Sequence, residues 1–327
     1  MPSLSICIPT YNRAPHLRVL LESLRRACAA SKEIPEIIVC DNASPDDTGL
    51  VVKEFTDGGL PLQYIRRPEN IGGENNFYRS VQAASGEYVW VIGDDDKIRP
   101  DAISRVQEYL ALGHNMLLLN YSVYSGSFDK LRSPAKIRYP ADICFDSADD
   151  LLAKFGLHPG FISSVVIRRE TFLRLPFEEY TVLAEYGFPF AYAVYAGLKM
   201  DGCKARFVSE PLLLNLGDNS GCYDWYKFFV EGSHKIFSLL VQRGYKSSSA
   251  KKADTRVLRD DVIYRVVNDR IRGTFDAPRV RKLLRECYGR NLFFWFVVAP
   301  LLYCPAGSLR VFKRIALSIR AWRNKEN

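Results

Sequence analysis

The feature that most constrains this chain is the rhythm of its first hundred residues, where short apolar runs alternate with helical patterns. "LSICIP" (residues 4–9) is apolar and rich in isoleucine, and "HLRVLLESLRRA" (16–27) then repeats apolar residues at helical spacing. "EIIVCD" (36–41), "LQYIRR" (62–67) and "EYVWVIGD" (87–94) read as three further strands, with a helical "NNFYRSVQAA" (75–84) before the last. Strand and helix in this order imply a parallel sheet covered by helices, an α/β nucleotide-binding topology. In such open sheets a ligand sits beyond the carboxyl ends of the strands.

Four of those ends carry polar clusters: "PTYNR" (9–13), "DNASPDD" (41–47), "RRPENIGG" (66–73) and "GDDD" (93–96). The last is the most demanding. Three aspartates closing an apolar strand suffer repulsion and desolvation unless a cation or a donor network completes them. Asp94 and Asp96 form a D-x-D suited to Mg²⁺ or Mn²⁺, which take oxygen ligands and bridge to substrate phosphates. The plainer reading is a solvated acidic turn ahead of the helix in "RPDAISRVQEYLAL". Asp41 can accept a hydrogen bond from a base or ribose, or cap the helix that follows it. Pro9, Thr10, Tyr11 and Arg13 bring hydroxyl, backbone and guanidinium groups to the first strand end. Arg67, Asn70 and the Gly72–Gly73 pair, with Asn76 just beyond, add donors suited to a diphosphate. No G-x-G-x-x-G and no G-x-x-x-x-G-K-[ST] occurs, which excludes the classical dinucleotide and P-loop readings.

At 327 residues the chain can bury a large core, and one large domain with an appendage is the expected layout. Its net charge of +8 is unevenly spread: residues 251–327 hold 18 Lys and Arg against 7 Asp and Glu, and the rest 27 against 30. Eight cysteines without a C-x-x-C pair, several in apolar runs, indicate reduced packed thiols in a cytosolic protein. The N-terminus lacks the pattern of a signal peptide. "LFFWFVVAPLLY" (292–303) is shorter than the roughly 20 residues a spanning helix needs and is interrupted by Pro300. Beyond residue 100, "MLLLNYSVYS" (116–125), "GFISSVVIRRETF" (160–172) and "KARFVSEPLLLNL" (204–216) read as strands. "FPFAYAVYAGL" (188–198) reads as a buried helix, and "KSSSAKKAD" (246–254) as a linker in an increasingly basic, helical C-terminal region.

"SICIPTYNRAPHLRVLLESL", "EIIVCDNASPDDT" and "NIGGENNFYRSVQAASGEYVWVIGDDDKIRPDAI", in that order and spacing, resemble the family 2 glycosyltransferases. The resemblance covers roughly the first 110 residues and implies the GT-A fold and an inverting transfer from a nucleotide-diphosphate sugar, assisted by Mg²⁺ or Mn²⁺. By the same resemblance Thr10, Tyr11 and Arg13 line the nucleotide, Asp41 reads the base, Asp94 contacts ribose or metal, and Asp96 holds the metal against the diphosphate. The commoner pattern there is D-x-D-D, and Gly93 stands at its first Asp, so either Asp94 or Asp95 faces the ribose. Inverting transfer needs a base for the acceptor hydroxyl. The family's E-D pair corresponds to Glu185 and Tyr186, which makes Glu185 the candidate base, with Asp218 as the alternative. The segment "LGDNSGCYDWYKFF" is similar to abequosyltransferase-like enzymes that build bacterial surface polysaccharides. There Tyr223 and Trp225 either platform an acceptor sugar or belong to the aromatic core of a helix.

The expected division is a catalytic domain over residues 1–220, with a nucleotide-sugar half (1–110) and an acceptor half (111–220), followed by a helical basic region (221–327). The tail "LRVFKRIALSIRAWRNK" (309–325) sets Phe312, Ile315, Ile319 and Trp322 on one face and Arg310, Lys313, Arg314, Arg320 and Arg323 elsewhere. Such a helix suits an anionic bilayer surface, or docks on the catalytic domain with its basic face in water. No nucleic-acid module accompanies the charge. The expectation is therefore a metal-dependent sugar transferase, peripheral on the cytoplasmic face of the membrane. Its expected acceptor is a glycan or a saccharide linked to polyprenyl diphosphate, in O-antigen or capsule synthesis. A nucleotidyltransferase and a non-catalytic nucleotide-sugar-binding protein are the alternatives.

Overall fold

A computed structural model describes residues 3–217, 224–311 and 313. The first half is built as its rhythm predicts: β1 (Leu4–Thr10), α1 (Ala14–Ala29), β2 (Glu36–Asp41), α2 (Thr48–Asp57), β3 (Leu62–Arg66), α3 (Gly73–Ala83), β4 (Tyr88–Val91). β5 (Lys97–Ile98) and α4 (Ala102–Leu110) close it. The second half comprises β6 (Met116–Ser125), β7 (Ser127–Ser133), β8 (Ile143–Phe145), α5 (Ala148–Phe155), β9 (Val165–Arg168), α6 (Arg169–Leu173), α7 (Phe177–Ala184), α8 (Pro189–Asp201) and β10 (Ala205–Leu216).

These strands form one sheet in the order β3-β2-β1-β4-β9-β6-β10-β5, with β7 beside β6 and β8 beside β10. β3, β2, β1 and β4 run parallel, as do β6 and β10; β9 is antiparallel to both its neighbours. Both faces of the central strands are covered, so β1, β2 and β4 are buried nearly throughout and their alternate side chains feed two different cores. Ile6 and Ile8 point into the core under α1, α2 and α4, while Cys7 between them belongs to the opposite one. That larger core also takes in α9 (Ser233–Gln242), α10 (Ser247–Val257), α11 (Ile263–Arg272) and α12 (Ala277–Tyr288). The C-terminal helices thus bury their apolar faces, including Leu240, Val257, Val266 and Leu284, on the same sheet face rather than around a core of their own.

Two local expectations need correction. "KSSSAKKAD" is no linker: it forms most of α10, whose Ala250 and Ala253, three residues apart on one face, are buried while Lys251 and Lys252 stay exposed. "GFISSVVIRRETF" is not one strand either. Two 3-10 turns (His158–Gly160 and Ile162–Ser164) precede the short β9, and α6 follows it directly. Both serines are fully buried: Ser163 Oγ donates to Asp96 beyond the end of β4, and Ser164 Oγ donates back to the Phe161 carbonyl within the turn.

Candidate active site

The parallel register of β1 and β4 sets their carboxyl ends side by side, Cys7 opposite Val91. Thr10 Oγ1 donates to Asp94 Oδ2 at 2.7 Å. Arg13, the residue that opens α1, reaches across with one terminal nitrogen, 3.2 Å from Asp94 Oδ1 and 2.9 Å from Asp95 Oδ2. Asp96 is 1% exposed and accepts from Ser163 Oγ at 2.5 Å and from Asn215 Nδ2 at 2.9 Å. The same Ser163 oxygen accepts the Gly93 N–H at 2.9 Å, and the Ser163 carbonyl accepts the Trp90 indole N–H at 2.8 Å. Ser163 therefore ties the aspartate turn to β9. A Cβ at Gly93 would lie 3.1 Å from Asp95 Oδ1 and 3.3 Å from Asp96 Oδ2, so this turn is tight around the carboxylates.

Arg13 is the only cation hydrogen-bonded to the triple aspartate among the described residues. Burial consequently pushes the Asp94 carboxyl up to about 6, against the pull of Thr10 and Arg13, and the Asp96 carboxyl up to about 7. Two buried carboxylates short of positive charge are hard oxygen donors of the kind Mg²⁺ and Mn²⁺ take, usually one or two per ion with substrate phosphates completing the sphere. The residues fit such an ion shared with a diphosphate. They do not form a closed cage: among the described residues no group of three or more His, Cys, Asp or Glu is arranged to hold a metal alone.

Beside this cluster the ends of β2 and β3 carry a second set of polar groups. Asp41 is 1% exposed and accepts from Ser44 N at 2.8 Å and Tyr64 Oη at 2.6 Å, with Arg66 Nε at 3.6 Å. It closes the 41–44 turn instead of capping α2, whose Thr48 turns to Asp46. Pro9 pairs with Cys40 in the sheet, and Tyr11 beyond it is 43% exposed. Arg67 donates from its side chain to Asn76 Oδ1 at 3.1 Å, and Asn76 Nδ2 donates to the Cys40 carbonyl at 2.8 Å. Asn70 Oδ1 accepts from Asn42 Nδ2 at 2.7 Å and from Gly72 N at 2.9 Å. These amides lock the strand ends together. Of the glycine pair, Gly72 needs to be glycine, at φ 86° and ψ 151°; Gly73, which opens α3, has nothing within 4 Å of a Cβ.

Glu185 is exposed at the C-terminal cap of α7, and its side chain makes no hydrogen bond or ion pair among the described residues. Asp218 and Tyr223 lie outside the described residues. Trp225 is packed: its ring stacks on Phe229 at 4.7 Å and 8°, with the Arg265 guanidinium 5.5 Å away. Ser163 and Asn215 are the site residues that sequence reasoning missed. Nothing in "GFISS" marks the first; the single polar residue in "LLLNL" was the available signal for the second.

An open sheet with paired aspartates at the carboxyl ends of its central strands, covered by helices on both faces, defines a sugar-transferase fold of the GT-A type. The chain belongs to glycosyl transferase family 2, which matches residues 5–202. It is 28% identical over 227 residues to abequosyltransferase RfbV of Salmonella typhimurium, covering 66% of this chain and 67% of that protein. It is 30% identical over 158 residues to the GalNAc(5)-diNAcBac-PP-undecaprenol beta-1,3-glucosyltransferase of Campylobacter jejuni, covering 48% of this chain and 50% of that one. Among solved structures, a fragment of S. aureus TarS in complex with UDP-GlcNAc superposes with a TM-score of 0.63 at 15% identity, covering 87% of this chain and 80% of that one. A mannosyltransferase of Pyrobaculum calidifontis with GDP-Man and Mn²⁺ gives 0.54 at 16%, covering 98% and 83%.

Proposed function

We propose that this glycosyltransferase moves a sugar, with inversion, from a nucleotide-diphosphate donor to a lipid-linked saccharide in cell-surface polysaccharide synthesis. The observation that carries the reading is the buried Asp94–Asp96 turn, whose charge exceeds what Arg13 offsets. A bound Mg²⁺ or Mn²⁺ would supply Lewis-acid stabilisation of the departing diphosphate. Asp96 and Asp94 would hold it, and Arg13, released from Asp94 and Asp95, would turn to the donor. Asp41 would accept from the base, with Asp94 or Asp95 facing the ribose. Glu185 would take the proton of the acceptor hydroxyl, with Asp218 as the alternative base. The GDP-Man and Mn²⁺ of one structural neighbour and the UDP-GlcNAc of the other support a metal-assisted nucleotide-sugar reaction. The undecaprenol-linked substrate in the name of the Campylobacter relative supports the acceptor class.

We place the enzyme on the cytoplasmic face of the membrane as a peripheral protein. No helix among the described residues is long and apolar enough to cross a bilayer. The segment 292–303 has a two-sided character instead: Phe294, Val298 and Leu302 are buried, while Leu292, Trp295, Phe296 and Tyr303 are exposed. This apolar ridge sits in the most basic part of the chain, which suits an anionic headgroup region. Of the basic tail, Arg310 and Lys313 are described and Arg314, Arg320 and Arg323 are not. Incubation with a panel of nucleotide sugars and lipid-linked saccharides, with and without EDTA, tests the reading by mass spectrometry of the products. Sugar transfer that chelation leaves untouched would remove the metal, and no transfer from any donor would remove the activity.

A further inference from the structure

On the far side of the Ile162–Ser164 turn from Asp96 lies a cavity of about 1100 Å³. Ser163 of that turn faces the aspartate, while Phe161 and Ile162 line the cavity. Small-molecule pockets span about 300–1,000 Å³, so this one is large enough for more than a single sugar ring. Its walls come from both parts of the chain. Tyr121 and Phe161, tilted against each other at 4.4 Å, and Phe188 belong to the sheet domain. Phe229, edge-on to Phe188 at 4.9 Å, comes from the C-terminal region.

Three carboxylates line the cavity; Asp260 is tied to Arg259 and Arg256, and the other two are set among these rings. Glu74, in the first turn of α3, accepts a hydrogen bond from Tyr180 Oη at 3.1 Å. Asp261 enters from the C-terminal side, on a π-helical turn (Leu258–Val262) packed against a second such turn (Lys227–Gly232) that carries Phe229. π-Helical turns of this kind interrupt α-helices and are frequent at functional sites. Phe188 is held at φ 57°, a left-handed conformation unusual for a bulky residue, which brings its ring to the cavity wall. Burial pushes the Glu74 carboxyl up to about 7 against its hydrogen bond from Tyr180, and the Asp261 carboxyl up to about 6 against the pull of Lys136.

We infer that this cavity is the acceptor-saccharide site, and that Glu74 and Asp261 accept hydrogen bonds from acceptor hydroxyls while the aromatic walls cover the sugar rings. The inference rests on the transferase reading for the direction of the chemistry, but the binding it describes is independent of it. Aromatic faces suit the apolar C–H faces of sugar rings, and carboxylates suit their hydroxyl rims. The C-terminal helices thereby become part of the active site: without Asp261 and Phe229 one wall of the cavity is missing.

The test uses the full chain, a panel of methyl glycosides and short oligosaccharides observed by saturation-transfer NMR, and UDP and GDP with Mn²⁺ observed by calorimetry. Asp261→Asn and Glu74→Gln are close in shape to the parent and remove charges that burial disfavours, so both variants should fold. The expected result is a glycoside that the parent binds and that each variant binds at least tenfold more weakly, with nucleotide binding unchanged. The inference is overturned if no saccharide binds the parent, or if both variants bind it like the parent. Parallel loss of nucleotide and saccharide binding also overturns it, because the cavity would then serve the donor. A parent that binds saccharides through Asp261 but no nucleotide would leave this inference standing and sink the transferase reading.

Discussion

Ser163 holds Asp96 at 2.5 Å across 67 residues of chain, and through the Gly93 N–H it holds the whole aspartate turn to the end of β9. The acidic turn is therefore fixed before any ligand arrives, and binding a donor need not pay for ordering it.

Two substitutions separate the charge of Asp96 from its placement. Asp96→Asn should keep the fold, since a buried carboxylate is replaced by a neutral group of the same shape, and should abolish Mn²⁺-dependent binding of nucleoside diphosphates. Ser163→Ala leaves a buried acceptor and an amide N–H short of a partner, at a cost of about 1–3 kcal/mol in stability. Calorimetry on the first variant and denaturant unfolding of the second are the measurements. Undiminished nucleotide binding by Asp96→Asn would refute the cation site.

Glu185→Gln should leave donor binding intact and lower turnover by about 10²–10⁴-fold, the usual contribution of a positioned general base. Its side chain is exposed and unpaired among the described residues, so no loss of thermal stability should accompany the change. If turnover stays within a few-fold of the parent, the proton passes to Asp218 or to another carboxylate.

Glu74 makes stability depend on pH in a defined direction. Its folded pKa of about 7 lies above the ordinary value of 4.5, so the folded protein binds the proton more tightly than the unfolded chain. The group costs nothing well below pH 4.5, and its penalty grows as pH rises towards 7 and is complete above it. Glu74→Gln should therefore stabilise the protein at pH 8 by on the order of 1–3 kcal/mol and make no difference near pH 4. Equal stabilisation at both pH values would show that the effect is not ionisation.

Leu292 and Phe296, 72% and 78% exposed, should be the main apolar contacts with a bilayer. Replacing both with aspartate should remove about 1.5–3 kcal/mol of burial apiece and release the protein from anionic vesicles. Flotation of the parent should weaken as salt rises, because screening shortens the reach of the basic residues. Failure of the parent to float with either neutral or anionic vesicles would end the membrane proposal.

The parts of this protein legible from sequence are those whose signal is local. Ile6 and Ile8 alternate with Cys7 within one strand, and the polar clusters at residues 9–13, 41–47 and 93–96 directly follow their strands. α10 imitates a linker through its Ser and Lys residues; of the residues it buries, Ser249, Ala250 and Ala253 are small, and Val257 alone carries a strong hydrophobic signal.

The sequence alone determined the α/β architecture, the order of its nucleotide-binding half, the aspartate turn and the family, because strand period, helix period and motif spacing are all properties of neighbouring residues. Only the tertiary structure decided which polar groups complete that turn and what stands opposite it. Ser163 and Asn215 lie 67 and 119 residues from Asp96; no pattern marks the first, and the second shows only as a polar residue in an apolar run. Asp261 reaches the cavity only because α10 and the turn after it bury their apolar sides on the same sheet face as α3. Contacts of that kind are set by how whole elements pack, and no local periodicity records them.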